Sequence, residues 1–237
     1  MRSDDSLSGL RFGLCCIFHD EPIRFRTTTA LALSRLTRSA SLDKLSEICA
    51  HNAEALLQAL IFCRDHGIGC FRVVSQILPL KTHTDYTYSM SDLPNGEEIV
   101  ARFRAGGLFA AEHDIRTCFH PDQFVVLNSQ RPEVIAASIR ELEYQSEVAE
   151  WIHADVINVH GGGAFGDKRR ALDDFRRTYE NLSSEVRRRL TVENDDRIFT
   201  PLDLLPLCRE IGMPLVYDVH HHRCHPDGLS VKEATLA

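Results

Sequence analysis

Six residues of this 237-residue chain draw attention by type and spacing: His83, His120, His160, Glu193, Asp218 and His221. Imidazole nitrogens mixed with carboxylates suit borderline divalent metals such as zinc or manganese. A glutamate between histidines has two oxygens and can join two ions. The spacing Asp218-x-x-His221 lets one loop supply two donors. A single histidine is usually a surface or hydrogen-bonded core residue. Six such residues, most of them closing an apolar run, point instead to a shared metal site. In the triple His220-His221-His222, His221 is expected to be the ligand and His222 to support it, with His225 in a loop. His19, His51, His66, His113 and His153 have no partner pattern and read as structural or exposed.

Two further segments could handle a phosphate or a base. The run from His160 through three glycines to Asp167-Lys168 would let backbone N–H groups approach an anion, with Lys168 either contacting a phosphate or merely solvated. It is not a Walker motif, because no G-K-[ST] follows. In His120-Pro-Asp-Gln123-Phe124-Val, a glutamine beside an aromatic could wedge into a base stack, the alternative being Phe124 packed in the core.

The elements that must carry these residues alternate regularly. Short apolar runs at Arg11–Ile17, Cys70–Ser75, Ile115–His120, Val156–His160, Leu190–Glu193 and Leu215–Val219 predict buried parallel strands. Helical periodicity predicts Ser41–His66, Glu97–Glu112, Pro132–Ile152, Lys168–Arg188 and Pro201–Ile211, with a short start at Ser230–Ala237. Thr200-Pro201 is a helix start, a cap followed by proline in the first turn. Six such units predict an α/β fold with a parallel sheet. His120, His160, Glu193 and Asp218 each fall at the carboxyl end of a run. Convergence of four successive strand ends favours a TIM (β/α)8-type barrel over an open sheet. Only six units are counted, so residues 1–237 read as a single barrel domain truncated at its C-terminus.

Composition sets the outer limits. Hydrophobic residues make up 43% and charged residues 26%, which is globular composition. No apolar run is long enough for a membrane helix, and the amino terminus lacks a basic segment followed by an apolar core. The net charge of −7 excludes DNA binding through a broad basic surface but not through bound metal ions. Eight scattered cysteines with no C-x-x-C pair read as buried thiols in a reducing cytoplasm.

The stretches FRVVSQILPLKTH, FHPDQFVVLNS, ELEY, INVHGGGAFGDK, LTVENDDR and LVYDVHHH together resemble the UV-damage endonuclease family, whose barrel superfamily includes endonuclease IV and the xylose isomerase-like enzymes. The likeness spans residues 11–237, and HPDQ, H-x-G-G-A-[FY]-G-[DE]-K and L-x-x-E-N-D carry its specificity. It implies a cluster of divalent ions, usually manganese. It also implies nicking of damaged double-stranded DNA immediately 5′ of a UV photoproduct or similar lesion, which starts excision repair. The family's ligands match His83, His120, His160, Glu193, Asp218 and His221, with Glu193, His120, His160 and Lys168 in catalysis. Gln123 and Phe124 match the pair that probes the lesion; Lys168, from the glycine-rich loop, is expected to contact the DNA. Leu14 stands where some relatives carry a tyrosine, and no residues correspond to the family's last two strands with their modifiable Lys and further His and Glu ligands. No side-chain nucleophile is expected, since no Ser-His-Asp or Cys-His arrangement is seen. The alternatives are a sugar isomerase or epimerase on the same barrel, or a metal- or DNA-binding remnant without activity.

Overall fold

All six apolar runs contain a strand: β1 (Gly13–Cys15), β2 (Cys70–Val73), β3 (Arg116–Phe119), β4 (Val156–His160), β5 (Leu190–Glu193) and β6 (Leu215–Val216). The structure is a computed structural model describing residues 10–237; the segment that bears on a leader peptide lies outside the described residues. Two compact units are present. One holds the residues up to Cys118 together with Ala149–Asp155, the other Phe119–Val148 and Val156–Ala237. Among the described residues no helix is long and apolar enough to cross a membrane. All eight cysteines are free, but only Cys49, Cys63 and Cys208 are buried as expected; Cys15 and Cys224 are exposed, since they lie at the end of β1 and at the end of a short surface helix.

In the first unit β1 lies parallel to β2, with Gly13 opposite Cys70, and the Arg116 amide at the start of β3 donates to Gly69 O at 3.0 Å. The connection after β1 contains α1 (Ala30–Leu33) and the long α2 (Arg38–Asp65), which packs on α3 (Gly96–Glu112). Leu45, Leu56, Leu60, Ile99 and Phe103 from these helices are buried completely or nearly so. A side chain at Gly107 would put its Cβ 2.6 Å from the Cα of Ile152, so only glycine lets α3 approach that backbone. Asn52 is buried and closes three hydrogen bonds, two with the backbone of Arg26 and one with Ile77 O. Along β2 and β3, Cys70, Arg72 and Cys118 alternate with the buried Phe71, Val73 and Thr117. Burial would raise the Cys70 pKa, but the neighbouring Cys118 thiol outweighs it and lowers Cys70 to about 7, while Cys118 is pushed up.

In the second unit β4, β5 and β6 are parallel in that order, with His160 opposite Glu193 and Glu193 opposite Val216. The α4 helix (Pro132–Ile152) precedes β4, α5 (Lys168–Glu180) and α6 (Ser184–Arg187) precede β5, and α7 (Pro201–Ile211) precedes β6. The expected Lys168–Arg188 helix is two pieces. Asn181 ends the first by donating to Arg177 O at 2.7 Å, and Ser183 caps the second by accepting from Val186 N. Thr200 and Asp203 form a capping box at the start of α7, with Pro201 in its first turn.

Two further differences concern the site. His120 follows β3 instead of ending it. Asp218 is not a strand end but the cap of a short helix, α8 (Val219–Cys224), which is followed by α9 (Val231–Leu236). The reason is a side chain: the Asn194 amide donates to Asp218 O and accepts from Asp218 N, at 2.9 and 2.8 Å. Asp218 therefore satisfies its backbone on Asn194 instead of on the ladder, β6 stops at Val216, and the histidine run winds into a helix.

Candidate metal centre

Two sets of donor atoms converge in the second unit. His120, His160 and Glu193 form one, and Glu193, Asp218 and His221 the other, with ligand atoms in each within 4.8 Å of one another. Glu193 belongs to both and faces a different histidine with each oxygen. Its Oε2 is 3.3 Å from His120 Nε2, and its Oε1 is 3.3 Å from His221 Nδ1.

Backbone geometry makes this possible. Parallel register puts His160 beside Glu193 at the carboxyl ends of β4 and β5. Asn158 and Thr191 are paired one layer below. Thr191 Oγ1 donates to Asn158 Oδ1 at 2.9 Å, and Asn158 Nδ2 donates to Glu193 Oε2. The carboxylate is thus held from beneath by a two-residue chain that is itself buried. Burial works to raise the Glu193 pKa. Hydrogen bonds from His120 and Asn158 and the charges of His120 and His160 outweigh it, so the carboxyl stays below its ordinary range.

The histidines are oriented by backbone oxygens. His120 Nδ1 meets Pro121 O at 3.2 Å and His221 Nδ1 meets Asn194 O at 2.9 Å. His120 thereby presents its Nε2 to Glu193, whereas in His221 the same Nδ1 that meets Asn194 O also faces Glu193 Oε1. His160 differs. Its Nδ1 is buried without a hydrogen-bond partner, and its ring centroid is 5.0 Å from that of His120 and 5.7 Å from that of His221. Burial and the two neighbouring imidazoles lower its pKa against the opposing charge of Glu193, which favours the neutral ligand form. An orphaned buried nitrogen among carboxylates and imidazoles fits a divalent cation, and the residues present could hold one.

The remaining site candidates are placed as follows. Lys168 begins α5 and pairs with Asp203 Oδ2 at 2.7 Å, which also accepts from Thr200 in the α7 capping box. Gln123 and Phe124 occupy the two corners of a turn closed by Val125 N to Asp122 O at 3.0 Å. Phe124 is 77% exposed, so it is not a core residue. His83 lies in the first unit, where its Nδ1 accepts from the Asp85 amide at 3.1 Å. His222 is buried between Tyr217 OH at 2.8 Å and Asp227 Oδ1 at 2.9 Å, which anchors α8 to the chain beyond it.

Four residues with structural roles here were not picked out as site residues from the sequence. Asn158, Thr191, Asn194 and Asn128 are buried, uncharged and hydrogen-bonded. Asn128 Nδ2 donates to Gly161 O and Gly163 O, both at 2.9 Å, and its Oδ1 accepts from Gly163 N. Gly162 has φ +81°, and a Cβ there would collide with Asn128 Oδ1. The signal for Asn194 was present, because it follows Glu193 in the L-x-x-E-N-D pattern.

Parallel β/α units whose carboxyl ends gather imidazoles around a shared carboxylate define a metal-type site on a barrel of the TIM class. The match to the crystal structure of SacUVDE supports that class: TM-score 0.84 at 29% identity, covering 96% of this chain and 75% of that one. The chain belongs to the UV-endonuclease UvdE family, whose model matches residues 10–236. It is 32% identical to the UV DNA damage endonuclease of Bacillus velezensis, over 91% of this chain and 68% of that protein. It is 31% identical to the UV DNA damage endonuclease of Bacillus cereus strain Q1, over 83% of this chain and 62% of that protein.

Proposed function

We propose that this chain carries the metal-dependent core of a DNA-repair endonuclease that nicks the phosphodiester immediately 5′ of UV photoproducts and related lesions. The reading is supported above all by Glu193 standing in both donor sets, in a chain of this family. Damaged double-stranded DNA is the substrate and the cytoplasm the compartment. His120, His160, Glu193, Asp218 and His221 would hold the ions; the mixed donors suit zinc as well as manganese, and manganese is the first choice on the family likeness. His83 as a further ligand rests on the family likeness alone.

Bound there, divalent cations supply Lewis acidity to a phosphodiester and to water. The protein's own groups do the rest. Glu193 fixes the spacing of the two sets, and Asn158 with Thr191 keeps its Oε2 turned toward His120. His120 and His160 meet the substrate side of the first set. Gln123 and Phe124 enter the base stack, filling the gap left by distorted bases. Lys168 reaches a phosphate by exchanging its Asp203 partner, so its contribution is smaller than that of a free lysine.

The test is a nicking assay on UV-irradiated duplex with manganese. Wild type should cut 5′ of the lesion and Glu193→Gln should not. Equal rates for the two would end the bridging role, and ketose epimerisation without nicking would favour the sugar-converting alternative.

A further inference from the structure

The loop after β4 carries an aromatic that the proposed mechanism does not use. Phe165 is 48% exposed and has φ +47°, in the left-handed region that bulky side chains avoid. It forms one corner of a turn closed by Asp167 N to Ala164 O at 2.9 Å, with Gly166 at φ +88° as the other. Two adjacent corners with positive φ suit Asn-Gly, not Phe-Gly. Such a conformation is strained and persists only where its surroundings enforce it.

The surroundings do enforce it. Asn128 clamps Gly161 and Gly163 from below. The ring of Phe165 lies so close over Gly163 that a Cβ there would sit 2.6 Å from its Cζ and 2.8 Å from its Cε2. The ring is therefore backed by peptide and half open to solvent, a fixed platform and not a loose side chain. The loop that starts at His120 also carries a turn with an exposed aromatic corner, Phe124, there at the second position and without a positive φ. The two loops leave from imidazoles whose centroids are 5.0 Å apart.

We infer that Phe165 is a second stacking residue, receiving the face of an unpaired nucleobase next to the cleaved phosphate while Phe124 serves the lesion. This rests on the endonuclease reading and deepens it. A nucleobase fits because every base offers a π-face, and aromatic platforms hold single-stranded bases without regard to sequence.

Binding of wild type, Phe165→Leu and Phe165→Tyr would be measured by fluorescence anisotropy on two probes: a lesion-bearing duplex and an undamaged single strand. Phe165→Leu should weaken binding to both by about tenfold with an unchanged melting temperature, and Phe165→Tyr should stay within about twofold. Removing the base on the 5′ side of the lesion should cost wild type about as much and Phe165→Leu nothing further. If Phe165→Leu binds both probes like wild type, or suffers the full penalty of the missing base, the stacking role is wrong. If wild type neither prefers nor nicks the lesion duplex, the endonuclease reading fails, and the single-stranded probe still decides the stacking role.

Discussion

Strands β2 and β3 of the first unit and β4 and β5 of the second have the same alternation of inward and core-facing side chains but use it differently. In the first, the alternating positions hold Cys70, Arg72 and Cys118; in the second, Asn158, His160, Thr191 and Glu193. In the second set Thr191, Asn158 and Glu193 form a hydrogen-bonded chain, beside which His160 Nδ1 is left without a partner. The first is a pair of soft thiols, one of them acidified by the other. A parallel sheet therefore fixes where side chains meet, and their chemistry decides what the meeting point can do.

The comparison is broken most directly at Glu193. Glu193→Gln should lower manganese affinity by about a hundredfold or more in calorimetric titration, because both donor sets lose their shared oxygen. Next come the two close-approach glycines. Gly107→Ala and Gly162→Ala should each cost about 2 kcal/mol in denaturant unfolding. Only Gly162→Ala should also weaken manganese binding, since Asn128 and the His160 loop lie against it. A smaller effect is expected from Asn158→Leu. Freed from its anchor, Glu193 should lose about tenfold in cation affinity, read by the same titration.

In the first unit the thiols can be told apart by pH. With its pKa lowered to about 7 by Cys118, Cys70 should be alkylated by iodoacetamide half-maximally near pH 7, followed at that residue by mass spectrometry, and the midpoint should move to higher pH in Cys118→Ser. Burial pushes Cys63 up to about 11, so it should react only in strong alkali; Cys49 is held at about 11, where burial outweighs the opposing Tyr88 hydrogen bond and Lys81 charge. The smallest effect belongs to Arg116→Ala. Its pair with Asp155 at 2.7 Å is half exposed on both sides, so unfolding should shift by less than about 1 kcal/mol.

Much of this layout is legible in the residues. Strand β4 and helices α4 and α7 have the bounds that periodicity gives, because apolar runs, Pro201 and the Thr200 cap are local signals. The donors at the ends of β4 and β5 are legible for the same reason. Helix α8 is not. Its start depends on Asn194, 24 residues upstream, and no local pattern in a histidine run shows that a distant amide will take Asp218 off the ladder. The break at Asn181 escapes a reading by hydrophobic period because the amphipathic pattern continues across it. The commitment of Lys168 to Asp203 is equally invisible, since the two are brought together by the fold. Buried asparagines such as Asn158 and Asn128 carry no charge and no spacing rule, so only coordinates reveal what they hold.

The division of Glu193 between His120 and His221 has a thermodynamic corollary. Two sites that share a ligand cannot fill independently. Whatever factor occupancy of the first imposes on the second is returned in equal measure. Titrations of this protein should therefore follow a linked two-site isotherm, and removal of either histidine should flatten it.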